Sequence, residues 1–111
     1  MGFWIKYSEQ AAADLADILR YMKDELCNPQ AAQRFYQAIL TRHALLRDNP
    51  CMYPLHHDDR LNAEGLRFAV MGKYLMFYTV DHDGAVVNIV RILYGMRDLP
   101  AVFTEPSPTD D

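Results

Sequence analysis

A set of basic and aromatic residues on the strands of the C-terminal half has side chains that could handle charge or protons: Arg67, Lys73, Tyr74, Arg91, Tyr94 and Arg97. Arginine presents a planar fork of donors that suits phosphate oxygens and the charge of a phosphoryl-transfer transition state, and lysine adds a point charge. Tyrosine donates a proton only with help, because its unperturbed pKa is about 10. The same six residues also suit a plainer role. On a solvated sheet face they would pair with Asp81, Asp83 or Asp98, or meet an acidic partner peptide, and pattern alone favours that reading. The set is densest in "VRILYGMRDL", where an apolar strand runs into Tyr94, Gly95, Arg97 and Asp98.

Other chemistries find little support. His56, His57, Asp58 and Asp59 are metal-capable, but adjacent residues rarely converge on one ion, and HExxH and paired CxxC motifs are absent. There is no GxSxG elbow, no cysteine framed by a recognisable histidine, and no glycine loop to cradle a phosphate. No metal or cofactor is therefore expected.

These residues must be positioned by a small domain. The sequence has 111 residues, half of them hydrophobic, which is a globular profile. It has no apolar run of membrane-spanning length and no secretory signal pattern at "MGFWIKYSEQ", so a cytoplasmic protein is expected. Cys27 and Cys51 should flank one long helix, about 30 Å apart, and stay reduced. The net charge is −4, yet without Glu105, Asp110 and Asp111 there are 12 acidic against 11 basic residues. That near-neutral balance lacks the basic excess that usually grips nucleic acid by its backbone, although a local basic patch remains possible.

"FWIKY", Phe3 to Tyr7, reads as a strand. Ser8 reads as an N-cap, and a helix follows from Glu9 to about Leu26, with Ala11, Leu15, Ile18, Leu19, Met22 and Leu26 on one face. Asn28 and Pro29 start a second helix that runs to about Asp48, with Ala32, Phe35, Ile39 and Leu46 inward. The short link between the two implies an antiparallel αα-hairpin. An irregular stretch, residues 50–64, precedes three strands in "GLRFAVM", "YLMFYTV" and "AVVNIVRIL", with tight turns at "MGK" and "DHDG". The fold class expected is α+β: an N-terminal strand, an αα-hairpin and a three-stranded antiparallel meander, in the order β-α-α-β-β-β, with the helices on one sheet face. Residues 1–103 form one domain in this reading, and 104–111 are an acidic, disordered tail.

Five segments in order, "YSEQAAADLADILRYM", "NPQAAQRFYQAI", "LRDNPCMYP", "GLRFAVMGKYLMFYTVD" and "VNIVRILYGMRDL", resemble the RelE/ParE superfamily of bacterial type II toxins over Ile5 to Val102. The last segment is similar to that family's closing "R-x-x-H-G-R-R-D". Arg91, Gly95, Arg97 and Asp98 are kept, Tyr94 stands where histidine is common, and Met96 where the first paired arginine is common. The resemblance implies a toxin held inactive in a hetero-oligomer by an antitoxin, whose C-terminal segment wraps it as helix and strand.

It also implies one of two targets. RelE-type members cut mRNA on the ribosome without metal; ParE-type members poison DNA gyrase by protein–protein contact. Ribonuclease members carry an arginine at the position of Leu75 in "YLMFY", and a leucine there loses both charge and two-pronged hydrogen bonding. A ParE-like gyrase inhibitor is therefore expected, with Lys73, Tyr74, Arg91, Arg97 and Asp98 binding partners. The alternatives are a ribosome-dependent endonuclease, with Arg67, Arg91, Tyr94 and Arg97 as its catalytic set, and a non-toxic module that sequesters an antitoxin. Arg91 has a structural alternative as well, pairing with a carboxylate of the helix layer or a neighbouring strand.

Overall fold

Ser8 joins the first strand to the first helix and satisfies groups on both. Its Oγ accepts from the Ala11 amide at 2.9 Å, which starts the helix, and donates to the Val90 carbonyl at 2.8 Å, which ties that start to the last strand. Around this junction a computed structural model, which describes residues 2–55 and 63–95, has strand β1 (Trp4–Tyr7), helix α1 (Glu9–Arg20) and helix α2 (Pro29–Asp48). Strands β2 (Arg67–Met71), β3 (Tyr74–Asp81) and β4 (Val86–Tyr94) follow. Both expected helix starts are present. Asn28 caps α2 by accepting from the Ala31 amide at 3.1 Å, and Pro29 takes the first turn. The tail and the "HHDD" segment lie outside the described residues.

The sheet order is β1-β4-β3-β2. The three C-terminal strands form the expected antiparallel meander, and β1 adds parallel to β4, Trp4 opposite Val86 and Tyr7 opposite Ile89. Strand β4 is thus interior and needs apolar residues on both faces, which is why "VVNIVRIL" hardly alternates. Val87, Ile89 and Ile92 are buried with Ala11, Ile18, Phe35, Ile39 and Leu46 of the helix layer. Leu93 is buried in a second cluster with Leu66 and Phe77, residues of the opposite sheet parity. Each fully buried aliphatic or aromatic side chain contributes about 1.5–3 kcal/mol. The exposed Arg20–Asp17 pair lies within α1, contributes about 0–1 kcal/mol and joins no two layers.

The first helix departs from expectation at its end. After Arg20 the chain makes a π-helical turn, Tyr21–Glu25, closed by the Leu26 amide on the Tyr21 carbonyl at 3.0 Å. The wider turn rotates Leu26 off the expected inner face and leaves it 54% exposed. Cys27 then adopts a left-handed φ of 51°, and the Asn28 amide returns to the Met22 carbonyl at 2.9 Å. This is a helix stop of the kind glycine normally supplies. At the other turns, positive φ falls on Gly72 (+63°) in the two-residue β2–β3 hairpin. In the β3–β4 loop it falls on Ala85 (55°) rather than on Gly84 of "DHDG". The Gly84 amide donates to Asp81 Oδ1 at 3.1 Å, which closes the loop.

One polar contact pins β1 to α2. The Tyr7 hydroxyl and His43 Nε2 lie 2.8 Å apart. Burial, and next the neighbouring Tyr36, push the Tyr7 pKa up to about 12; burial, and next Arg47, lower that of His43.

Two predictions follow from these local features. Cys27→Gly should raise stability by about 1 kcal/mol, read as a higher urea midpoint, by relieving the left-handed backbone. An unfolded His43 takes its proton near pH 6.5 while the folded one resists it, so His43 makes the fold lose stability as pH drops through and below that value. The melting temperature should therefore fall less steeply between neutral and mildly acidic pH in His43→Gln than in the parent, when followed by circular dichroism.

Candidate functional site

The π-helical turn, α2 and the β2–β3 hairpin enclose a groove of about 880 Å³. Tyr21, Met22, Leu26 and Phe35 form its apolar walls, Tyr74 and Tyr94 its far side, and Arg34, Arg42 and Lys73 its charges. Among the described residues, no carboxylate lines it. In a chain of net charge −4, this is the local basic patch that overall composition conceals.

The aromatic side is built as a chain of edge-to-face contacts. Phe35 meets Tyr74 at 5.2 Å and Tyr74 meets Tyr94 at 5.7 Å between ring centroids. Tyr74 and Tyr94 are opposite each other on β3 and β4, which places both rings on one face. Burial, and next the neighbouring Tyr21 and Tyr94, raise the Tyr74 pKa. The end of β4 is fixed beside the hairpin by the Gly95 amide, which donates to the Lys73 carbonyl at 2.8 Å. A Cβ on Gly95 would lie 3.3 Å from that oxygen, a close approach that favours glycine.

Two of the expected site residues are held elsewhere. Arg91 donates from Nε and Nη2 to the two oxygens of Asp14 on α1, at 2.8 and 3.1 Å. Asp14 also accepts from the Ile92 amide at 3.0 Å. The side chains of Arg91 and Asp14 are only 16% and 13% exposed. This is the structural alternative that the sequence left open for Arg91, a carboxylate of the helix layer. A register shift between Phe77 and Tyr78 leaves Val90 without an opposite residue, just where Arg91 turns to the helix. Arg67 instead holds the irregular stretch, donating from Nη1 to the Tyr53 carbonyl at 2.8 Å and the Cys51 carbonyl at 3.4 Å. Neither arginine lines the groove.

The structure therefore brings Lys73, Tyr74 and Tyr94 together, keeps Arg67 and Arg91 apart from them, and leaves Arg97 and Asp98 outside the described residues. It adds Arg34 and Arg42, which sequence reasoning missed. Their signal was a stripe along one side of α2, Ala31, Arg34, Ala38 and Arg42, with small residues clearing space between cations. Both cysteines are free and exposed. The sequence offered neither a histidine partner, yet the fold puts His82 Nε2 3.8 Å from Cys51 Sγ, away from the groove. Among the described residues, no group of three metal-capable side chains converges and no helix is long and apolar enough to cross a membrane.

The architecture recurs in solved toxin–antitoxin structures. The chain superposes on one from the chromosomal ParDE system of P. aeruginosa with a TM-score of 0.64 and 21% identity, covering 83% of this chain and 95% of that one. For the RelBE2 complex of Mycobacterium tuberculosis the TM-score is 0.60 and the identity 17%, covering 85% and 99%. For the archaeal RelE–RelB complex of Pyrococcus horikoshii the values are 0.56 and 19%, covering 87% and 99%. No curated protein matches the sequence. The fold class is thus that of the RelE/ParE toxins. Residues 5–99 match the model of the family described as the ParE toxin of the type II toxin–antitoxin system parDE, and the chain belongs to that family.

Removing Asp14 strands a guanidinium and a strand amide together, whereas removing Arg91 leaves Asp14 its amide. Asp14→Ala should cost about 3 kcal/mol and Arg91→Ala less, both measured by urea denaturation. A merely exposed pair would cost under about 1 kcal/mol in either variant.

Proposed function

We propose that this chain is the toxin of a bacterial type II pair, that a cognate antitoxin binds the groove, and that its cytoplasmic target is DNA gyrase. On this reading it inhibits gyrase by protein–protein contact and does not cut mRNA. One observation carries the choice of target: two of the three arginines in the expected nuclease set, Arg91 and Arg67, are spent. Arg91 is bound to Asp14 and Arg67 to backbone carbonyls, so neither is available beside Tyr94 to take the charge of a scissile phosphate. Leu75, in place of an arginine, packs in the second apolar cluster. Tyr74, with its raised pKa, makes a poor proton donor and a good apolar contact.

What the groove retains suits a polypeptide. Aromatic and aliphatic walls with a cationic rim accept side chains that alternate between apolar and acidic, and an extended or helical antitoxin segment supplies such a pattern. Lys73, on the hairpin turn, lies on that rim and Tyr74 on its aromatic side.

The target is tested with purified toxin in a gyrase supercoiling assay run beside a ribosome-programmed mRNA cleavage assay. Loss of supercoiling with intact mRNA is expected; codon-specific cleavage without an effect on gyrase overturns the reading. Tyr74→Ala should weaken antitoxin binding by about 2 kcal/mol, measured by calorimetry, while Arg20→Ala on α1 leaves it unchanged.

A further inference from the structure

Strand β2 is an edge of the sheet, and edges recruit other strands unless they are guarded. The first half of this edge is covered by the chain itself. The Phe68 amide donates to the Pro54 carbonyl at 3.2 Å, and Leu55 bridges Arg67. Val70, two residues on, has the same parity and so also faces the open edge, and it is 53% exposed. Its carbonyl is covered by a side chain, for Arg42 reaches across from α2 and donates to it from Nη2 at 3.0 Å.

This guard is incompletely satisfied. Arg42 Nε is buried and has no acceptor. In a guanidinium, Nε and Nη2 form one edge with two parallel N–H bonds, the edge that Arg91 uses to hold both oxygens of Asp14. In Arg42 one half of that edge rests on a carbonyl, which has a single oxygen to offer, and the other half rests on nothing. A carboxylate satisfies both halves, and among the described residues the groove that Arg42 lines has no carboxylate of its own.

We infer that Arg42 is a switchable guard, which exchanges the Val70 carbonyl for an acidic side chain of the antitoxin and thereby opens the β2 edge for that segment's backbone. The exchange joins two recognition events. The incoming carboxylate satisfies the stranded Nε–H, and the released Val70 oxygen accepts an amide from the same segment as it lies down along β2. A segment without the acid leaves the guard in place and gains no strand pairing. This inference rests on the antitoxin reading of the groove given above, and it names the chemistry of the occupant: an extended segment with an acidic residue between apolar ones.

The experiment titrates the full chain with a short capped peptide alternating valine and glutamate, and with its glutamine counterpart. Affinity is read by calorimetry, and the Arg42 Nε–Hε signal by NMR. The glutamate peptide should bind on the order of tenfold or more tightly, and should shift that signal. Arg42→Gln should abolish the preference, while Arg34→Gln preserves most of it. Without any peptide, Arg42→Gln should increase concentration-dependent self-association in sedimentation, because the edge loses its guard. Equal affinities, a preference that survives Arg42→Gln, or an unmoved Nε–Hε signal overturns the inference. So does a wild-type chain already paired with a second copy through β2, or peptide binding that appears only after residues 104–111 are deleted. Tyr74→Ala separates the two levels. If it weakens both peptides and the glutamate preference persists in Arg42→Gln, the groove reading stands and the guard falls. If antitoxin binding ignores Tyr74→Ala, the groove reading itself falls.

Discussion

The Asp14 carboxylate is the point on which the geometry turns. It lies at the join of helix layer and sheet and takes three hydrogen bonds, two from Arg91 and one from the Ile92 amide. Strand β1 stops at Tyr7, opposite Ile89, so among the described residues the outer edge of β4 beyond that point has no strand beside it. Ser8 and Asp14 stand in for the missing strand, taking up Val90 and Ile92 respectively. This lets β4 run on to Tyr94 and carry that ring to the groove rim. Buried charge is costly unless fully paired, and here each oxygen of Asp14 has a donor. An arginine that a sequence motif would assign to chemistry is thus committed to architecture.

Much of the fold could be read from the sequence because its signals are local. Ser8, the Asn28–Pro29 pair and the glycine of the β2–β3 turn each act within a few residues of themselves, and their types state their roles. The parity of β2 was equally legible: Ala69 and Met71 face the helices, while Leu66 and Phe68 join the second cluster. The π-helical turn was not, because "YMKDE" contains ordinary helix formers and nothing in it signals a wider turn. Its consequence, the displaced Leu26, was hidden for the same reason.

The candidate site was less legible, because its meaning depends on contacts between distant residues. Arg91 and Asp14 are 77 positions apart, and a lone aspartate in a helix reads as solvated until the sheet covers it. Tyr74 and Lys73 could be singled out by their place at a turn, and Tyr94 by its place at a strand end. Arg34 and Arg42 could not, since cations on a helix usually face water. Only the approach of the hairpin to α2 turns that stretch of helix into a groove wall. Family membership and fold constrain the class of protein. The choice between cutting RNA and gripping a protein turns on which guanidinium groups remain uncommitted, and that is a matter of tertiary structure.

The parallel pairing of β1 with β4 has a consequence in time. Trp4 cannot meet Val86, nor Tyr7 meet Ile89, until nearly the whole domain has been synthesised. The helical hairpin and its capping residues are made early and are local, but their apolar faces have no sheet to cover them until the last strand arrives. Long-range pairing of this kind makes folding wait for closure of a large loop. The groove follows the same schedule, because Tyr94 is among the last residues placed and Gly95 fastens it to the hairpin. A nascent chain is therefore unable to present the finished surface to any partner until strand β4 has left the ribosome.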